Sequence, residues 1–345
     1  MCLSAFAANP APILHSARQF KNCLQNYLVS VLIQPDIKTN RCGMEISWIT
    51  RLRIFASLAI GAALVGFLPW RFVQPSVEAG GVFAIFSGSI SVSDILICAF
   101  LAFVAGFIAS AVCTPYGAQI GIIAAPAGLA VWGLKSASLS KIFQIVPAVA
   151  GRMQVYSRLR FEGFIWLAIV ICGFAGAIVA DRIFRRKEIS LPDQIKPSFP
   201  LPDFAQIAIS VIGTVFVANF LVNILAVDVG YSDLSLDRVT AQPANAQIAF
   251  AVFIAFGVCG FLAKFFLNSK AYWPAIASVV VIYYSIMSYG RSKIMAHLGA
   301  FWPAVFFAKP VMAVLPVQMV AFGCLGALWG YWLAVSCNIW RATQA

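Results

Sequence analysis

The stretch around Pro115 carries the residue types best suited to binding a small solute. Pro115 and Pro126 each remove a backbone hydrogen-bond donor from an otherwise apolar run. Broken helices at membrane depth expose backbone dipoles that can coordinate a substrate or an ion. The alternative is a tight turn between two helices at the water interface. The predicted substrate-binding residues of this stretch are Thr114, Pro115, Tyr116, Gly117 and Gln119.

Asn219 and Asn223 form a second candidate for substrate binding. They are four residues apart within an apolar run, so they share one face of a helix. Such a pair can line a polar path through the membrane. The alternative is a hydrogen bond between neighbouring helices, which is worth about 1 kcal/mol.

Catalytic and metal-binding patterns are absent from the sequence. It contains no G-x-S-x-G, no G-x-x-x-x-G-K-[ST] and no H-E-x-x-H. The nine cysteines form no C-x-x-C pair, and His15 and His297 are the two histidines. Zinc and iron–sulfur sites need clustered ligands. We therefore expect no catalytic residue, no metal and no cofactor, and we expect the loop aspartates Asp228, Asp233 and Asp237 to be solvated.

The composition shows what kind of scaffold must position these groups. Of the 345 residues, 61% are hydrophobic and 10% are charged, and the mean hydropathy is +0.89. A soluble domain is about 45–50% apolar and about 25% charged. A soluble globular protein, a disordered chain and a disulfide scaffold are thereby excluded. We predict an all-α polytopic bundle embedded in a membrane.

Eight apolar runs approach the length of about 20 residues that a transmembrane helix needs. They cover residues 54–70, 95–113, 117–134, 163–180, 205–227, 247–267, 273–289 and 311–335. The runs are continuous rather than alternating, which favours helices over strands. A ninth stretch, 294–308, is interrupted by His297, Gly299 and Pro303, and we predict that it lies half-buried or at the interface.

The charge distribution bears on orientation and partners. The net charge is +12, but the basic residues are scattered among short connections and form no extended patch, so we expect no nucleic acid. Eight crossings place both termini on one side. Arg51 and Arg53 precede the first run and favour a cytoplasmic N-terminus in a bacterial-type inner membrane. The basic stretch 135–162, read as a loop, then lies on the opposite side, against the positive-inside rule.

Residues 1–43 differ from the rest of the chain. They are mixed in character, and their short apolar run, 27–33, cannot span a membrane. One hypothesis is that Met44 is the true initiator; the alternative is a genuine short N-terminal extension. In both cases residues 44–345 are expected to form a single transmembrane domain.

Glycine and basic clusters indicate packing and lipid contacts. Small residues on one helix face allow close helix approach, and the expected packing glycines are Gly173, Gly176, Gly257, Gly260, Gly323, Gly326 and Gly330. Basic residues directly after a span bind lipid headgroups, and the expected set is Arg182, Arg185, Arg186 and Lys187. Lys264 lies near a span end, and we expect no carboxylate in the middle of a span.

Two functions remain open at this level. The first is a permease or channel-like protein for a small solute or ion, with the 110–128 break as its site. The second is a non-catalytic structural or accessory subunit of a membrane protein complex. The expected partners are the lipid bilayer and other membrane proteins or further copies of the chain.

Overall fold

The computed structural model of the protein describes residues 48–75, 80–85, 90–114, 116–184 and 202–344, and it is 78% helical. The helices are α1 (Trp48–Gly61, continued by a π-helical turn, Ala62–Phe67), α2 (Trp70–Val73), α3 (Val92–Val112), α4 (Gly117–Gly121), α5 (Ala124–Lys135), α6 (Leu139–Ile145), α7 (Val149–Phe184), α8 (Asp203–Leu225), α9 (Asn245–Leu267), α10 (Tyr272–Tyr289), α11 (Ser292–Phe301) and α12 (Pro316–Gln344). A small antiparallel sheet has the order β1 (Gly230–Asp233), β2 (Asp237–Ala241) and β3 (Phe306–Phe307).

The described residues contain seven helices that are long and apolar enough to cross a membrane. An eighth span is formed if α10 and α11, which meet at a bend of 69°, are counted together. Each predicted apolar run overlaps one of these spans. The prediction of an all-α helical membrane bundle is therefore confirmed.

The outer surface of the bundle is apolar, as contact with lipid requires. Phe100, Phe220 and Phe250 expose 65%, 64% and 60% of their surface on the outer sides of their helices. In water such faces would be aggregation liabilities. Lipid tails are as apolar as these side chains, so exposure to the bilayer costs little.

The bundle has two distinguishable ends. One end carries the turn between α3 and α4. There the Cys113 thiol donates to the Arg53 carbonyl across 3.3 Å and so joins the start of α1 to the end of α3. At the sheet end, which carries the three strands, Asn245 Nδ2 donates to the Ser136 carbonyl at 2.6 Å. This contact joins the start of α9 to the end of α5, so these two helices run in opposite directions.

The helix α7 is too long to be a simple span. Its 36 residues extend for about 54 Å at about 1.5 Å per residue, against about 30 Å of hydrocarbon. The prediction that 135–162 is a loop was wrong, because most of it is helical: α6 lies within it, and α7 begins at Val149. Of the basic residues of this stretch, Arg152, Arg158 and Arg160 lie in the first turns of α7, whereas Lys135 ends α5 and Lys141 lies in α6.

The last predicted run also begins differently from the expectation. Residues 311–315 are not part of α12, because a short 3₁₀ turn, Pro310–Ala313, precedes the helix, which begins at Pro316. Proline lacks the backbone donor that a helix interior needs, and it is tolerated in the first turn. Pro316 therefore marks the start of α12, and the 3₁₀ turn that begins at Pro310 does not continue into it.

The chain divides into two compact units, residues 46–335 and residues 1–45 with 336–345. The bundle described above is the first unit. Of the second, the structure describes the end of α12. The predictions about residues 1–43 and about Met44 as initiator lie outside the described residues.

Candidate functional site

The predicted site around Pro115 has the geometry of a turn between α3 and α4. Thr114 Oγ1 donates to the Ala111 carbonyl within the same turn at 3.3 Å, and Gln119 is exposed. Tyr116 is half-buried, and Gly117 is packed closely against the end of α3. Pro115 itself lies outside the described residues. The contacts match the turn that the sequence left as the alternative, and substrate binding by these residues stays a prediction.

The turn is held to neighbouring helices by two polar contacts. The backbone N–H of Ala118 donates to Asp181 Oδ1 near the end of α7 at 3.4 Å. Ser57 Oγ in α1 donates to the Ile120 carbonyl at 3.1 Å. These bonds satisfy backbone groups that the break leaves free, so the turn is anchored where three helices meet.

Asn219 and Asn223 form a hydrogen-bonded chain that links two helices and a loop. Asn219 Nδ2 donates to Ser285 Oγ of α10 at 2.9 Å, and Asn223 Nδ2 donates to Asn219 Oδ1 at 2.7 Å. Asn223 Oδ1 then accepts the backbone N–H of Val311 at 3.2 Å. We call Ser285, Asn219 and Asn223 the polar chain. Its members bond between helices, as the alternative interpretation expected.

The polar chain ends at a stretch inside the bundle that is not α-helical, residues 307–315, which we call the buried segment. All of its residues except the half-buried Lys309 are buried. Side chains from elsewhere in the chain satisfy four of its backbone groups. These bonds join Tyr156 OH to the Met312 carbonyl (3.2 Å), Asn223 Oδ1 to the Val311 N–H (3.2 Å), Gln242 Nε2 to the Ala313 carbonyl (3.4 Å) and Gln318 Oε1 to the Leu315 N–H (3.0 Å).

A small cavity lies beside the buried segment. It has a volume of about 10 Å³, which is about the space that one water molecule needs. Ser285 and three residues of the buried segment, Val311, Met312 and Val314, contribute to its wall. The full lining consists of Leu139, Tyr156, Leu159, Ile282, Ser285, Ile286, Val311, Met312, Val314 and Pro316.

Gln318 connects the buried segment to the sheet end of the bundle. The residue is 1% exposed. Besides accepting the Leu315 N–H, it donates through Nε2 to the Gly133 carbonyl at 3.0 Å and to Asn245 Oδ1 at 3.3 Å. The sequence analysis missed Gln318 because it sits in an apolar run. The pair of prolines at 310 and 316 is the signal that could have drawn attention to this stretch.

We expect Gln318→Leu to destabilise the protein by about 2–4 kcal/mol. Leucine fills a similar volume but leaves two buried groups, the Leu315 N–H and the Gly133 carbonyl, unpaired, and each such group costs about 1–3 kcal/mol. Thermal unfolding in detergent measures the effect. Gln119→Leu is the matched control, because Gln119 is exposed and should tolerate the change. Equal unfolding temperatures for the two variants would contradict the assigned role of Gln318.

Asp233 organises a polar cluster at the sheet end. His297 Nε2 in α11 lies 3.0 Å and 2.9 Å from its two carboxyl oxygens, and Trp302 Nε1 donates to Oδ2 at 2.7 Å. The backbone N–H groups of Ser235 and Leu236 donate to Oδ1 at 2.8 Å each. Hydrogen bonds with His297 and Trp302 hold the pKa of the Asp233 carboxyl well below its usual range. Asp233 was expected to be solvated, and this was wrong, because its side chain is 7% exposed.

The glycines of α7 lie where it packs against α3 and α5. A Cβ atom on Gly176 would overlap the Phe103 carbonyl oxygen, and one on Gly173 would overlap the Ala125 side chain. A Cβ atom on Gly106 of α3 would overlap the Gly173 carbonyl oxygen. These helices are therefore at a separation that only glycine permits at these positions.

The glycines of α9 and α12 face one another across a second close contact. A Cβ atom on Gly326 would overlap the Phe253 carbonyl oxygen, and one on Gly330 would overlap the carbonyl oxygen of Gly257. A Cβ atom on Gly260 would overlap the Ala327 carbonyl oxygen of α12. A Cβ atom on Gly323 would lie 3.0 Å from the Ser278 side chain of α10. The sequence predicted these residues for packing, and the structure places them at helix contacts.

The basic residues predicted to bind lipid are described only in part. Arg182 is exposed in the last turn of α7, and Arg185, Arg186 and Lys187 lie outside the described residues. Lys264 lies in the last turn of α9, where Nζ donates to Asn268 Oδ1 at 2.7 Å and lies 5.0 Å from the Tyr331 ring centre. These contacts agree with its expected position near a span end.

Glu162 is a residue that the sequence analysis did not single out. It lies within α7 and is completely buried, and Trp166 Nε1 donates to its Oε1 at 2.9 Å. The sequence predicted no carboxylate in the middle of a span, and Glu162 was not considered there because residues up to 162 were interpreted as a loop. Among the described residues, no group of three or more histidines, cysteines and acidic residues could hold a metal ion.

Comparison of the chain with protein-family models, with curated proteins and with solved structures found no match.

Proposed function

We propose that this protein is a permease for a small solute or ion in a bacterial-type inner membrane, with a cytoplasmic N-terminus. The buried segment carries the proposal. Irregular backbone within a membrane bundle is tolerated where it is enclosed by protein or lines a cavity. Discontinuous segments of this kind form substrate sites in many transporters.

The contacts of the buried segment suit a gate that opens at moderate cost. Asn223 and Tyr156 hold it through single hydrogen bonds to backbone atoms. Each such bond between helices is worth about 1 kcal/mol in a membrane protein. An open state a few kcal/mol above the closed state would be populated often enough to conduct. The cavity beside Ser285 is where a passing solute or ion would enter in this mechanism.

A role as a structural subunit is the second candidate, and a specific observation favours it. The members of the polar chain are bonded to one another or to the backbone, and the cavity beside them has room for about one water molecule. Polar groups bonded to one another in this way serve helix packing, which is what a structural subunit needs.

A flux measurement separates the two functions. The full chain is reconstituted in liposomes, which are then exposed to gradients of glycerol, urea, alanine or potassium chloride, and volume change is followed by light scattering. Asn223→Ala removes one bond that closes the gate. Because a factor of ten corresponds to about 1.4 kcal/mol, we expect about a fivefold faster entry of the permeant solute.

Thr214→Val is the matched control for this measurement. Thr214 is also a buried polar residue of α8, but its hydroxyl donates to the Ser210 carbonyl of the same helix at 2.6 Å. It should leave the flux at the wild-type value. If no solute enters the wild-type or Asn223→Ala liposomes faster than it enters protein-free ones, the permease proposal fails. Native mass spectrometry showing a stoichiometric protein partner would then support the subunit role.

A further inference from the structure

Glu162 is a buried carboxyl group, and within the described part of the chain one of its oxygens has no hydrogen-bond partner. Its side chain has no solvent exposure. Oε1 accepts the indole N–H of Trp166 at 2.9 Å, and the backbone of Ile85 is a further hydrogen-bonding group for the carboxyl. Among the described residues no group reaches Oε2, which is itself shielded from solvent.

The surroundings of Glu162 are aromatic. The Trp166 ring lies 5.4 Å from the Phe83 ring and 5.9 Å from the Trp132 ring, measured between centres, and these two rings are 5.0 Å apart. Gly163, the next residue, packs against Ile282 of α10. A group in such a setting is separated from water and from its dielectric screening.

The arginines nearest to Glu162 on α7 contact other side chains or are exposed. The Arg152 guanidinium lies 5.8 Å from the Phe143 ring centre, and Arg160 Nη1 contacts the Met287 sulfur at 3.6 Å. Arg158 is exposed. None of these arginines forms an ion pair with Glu162 in the described part of the chain. On the same helix, the Tyr156 hydroxyl is bonded to the Met312 carbonyl.

The titratable groups on the helices that pack against α7 are also engaged elsewhere or exposed. Lys135 at the end of α5 lies 4.1 Å from the centre of the Phe67 ring. Asp94 in α3 accepts the Ser91 N–H at 2.9 Å as part of a helix cap. Cys98 is buried on α3, and of the α10 tyrosines Tyr283 and Tyr284 are exposed and Tyr289 is half-buried. On α11, which also packs against α7, Lys293 is exposed and His297 is bonded to Asp233.

We propose that Glu162 is a proton-binding site, which the folded bundle keeps as a neutral carboxylic acid at neutral pH. An ionised carboxylate without a cationic partner is far more costly to bury than the neutral acid. When a water molecule reaches Oε2, the O–H bond breaks, the proton passes to the water, and the carboxylate keeps the electron pair. The reverse step restores the acid. This inference does not depend on the permease function.

Infrared difference spectroscopy of the full-length protein in detergent at about pH 7 tests the proposal. A carboxylic acid and a carboxylate have separate carbonyl stretching bands. We expect the wild type to show an acid band that Glu162→Gln loses. Asp94→Asn is the control, because Asp94 is a carboxyl group on the neighbouring helix that is already bonded as a cap, and it should leave the acid band unchanged.

Isotope labelling keeps the test decisive if Glu162→Gln does not fold. The chain has four glutamates, Glu45, Glu78, Glu162 and Glu188, so a label confined to glutamate separates their carboxyl bands from those of the aspartates. Wild-type protein labelled with carbon-13 at glutamate carboxyls should show an acid band shifted by the label, which fades as the pH is raised. A spectrum with only the carboxylate band of labelled glutamate at pH 7 would overturn the proposal.

Discussion

Replacing Gly326 with leucine is expected to abolish most of the folded protein. A Cβ atom at this position would already overlap the Phe253 carbonyl oxygen on α9 and would lie 3.1 Å from the backbone nitrogen of Gly257. Backbone atoms cannot rotate away as a side chain can, so α9 and α12 would have to separate. Overpacking of a tight interior costs about 1–3 kcal/mol where side chains can adjust. We expect a loss of at least about 3 kcal/mol here, against a total stability of about 5–15 kcal/mol.

The measurement is the yield of monodisperse protein in mild detergent, followed by thermal unfolding of what is recovered. Gly213→Leu supplies the control, because Gly213 also lies within a membrane-spanning helix but a Cβ atom there meets nothing within 4 Å. The same substitution should therefore be harmless at Gly213. If Gly326→Leu and Gly213→Leu give the same yield and unfolding temperature, the assignment of Gly326 to a close helix contact is wrong.

Replacing Asp233 with asparagine is expected to loosen the sheet end. Asparagine keeps one acceptor for the N–H groups of Ser235 and Leu236, but it places an NH₂ group where Trp302 and His297 approach the carboxyl. The NH₂ group would then face the N–H groups of Trp302 and His297, and no hydrogen bond could form between these donors. We expect a large rise in hydrogen–deuterium exchange over β1 and β2 at neutral pH and an unfolding temperature lowered by several degrees.

The effect of Asp233→Asn depends on pH in a defined direction. An aspartate in an unfolded chain ionises at about 3.9. Because the pKa of Asp233 is lower in the folded protein, the unfolded state takes up a proton first as the pH falls. The stabilisation from Asp233 is complete well above pH 3.9 and is lost as the pH falls below this value. The difference in unfolding temperature between wild type and Asp233→Asn should therefore become smaller as the pH falls below about 3.9.

Asp228→Asn is the control for both observations. Asp228 lies in the same connection between α8 and α9, and it is exposed. The change should leave exchange over the strands at the wild-type rate. If the difference in unfolding temperature between wild type and Asp233→Asn stays constant from pH 7 down to the acid range, the charge of Asp233 is not the source of the stabilisation.

The sequence by itself determined the class of the protein and most of its spans. Continuous apolar runs of about 20 residues have few alternatives to helices in lipid, because every backbone group must be satisfied within the segment. This local requirement is why each of the eight runs corresponds to a helix. The packing glycines were also predictable, since their spacing alone places them on one face of a helix.

Only the tertiary structure decided which polar groups meet. Gln318 bonds to Gly133, which is 185 positions away, and His297 reaches Asp233 across 64 positions. Local patterns carry no information about such pairs. The sequence therefore pointed to the break at Pro115, whereas the contacts that enclose non-helical backbone lie at the buried segment.

Glu162 is a clear example of a residue whose surroundings depend on the tertiary structure. Its sequence neighbours Arg158 and Arg160 are the reason that the sequence suggested a solvated loop. Arg160 lies two positions before Glu162 and is turned to another side of α7, whereas Arg158 lies one turn before Glu162 and is exposed. The rings of Phe83 and Trp132 come from distant parts of the chain to enclose this region. Burial is a property of the assembled neighbours, so the environment of a charged residue is fixed only when the helices have packed.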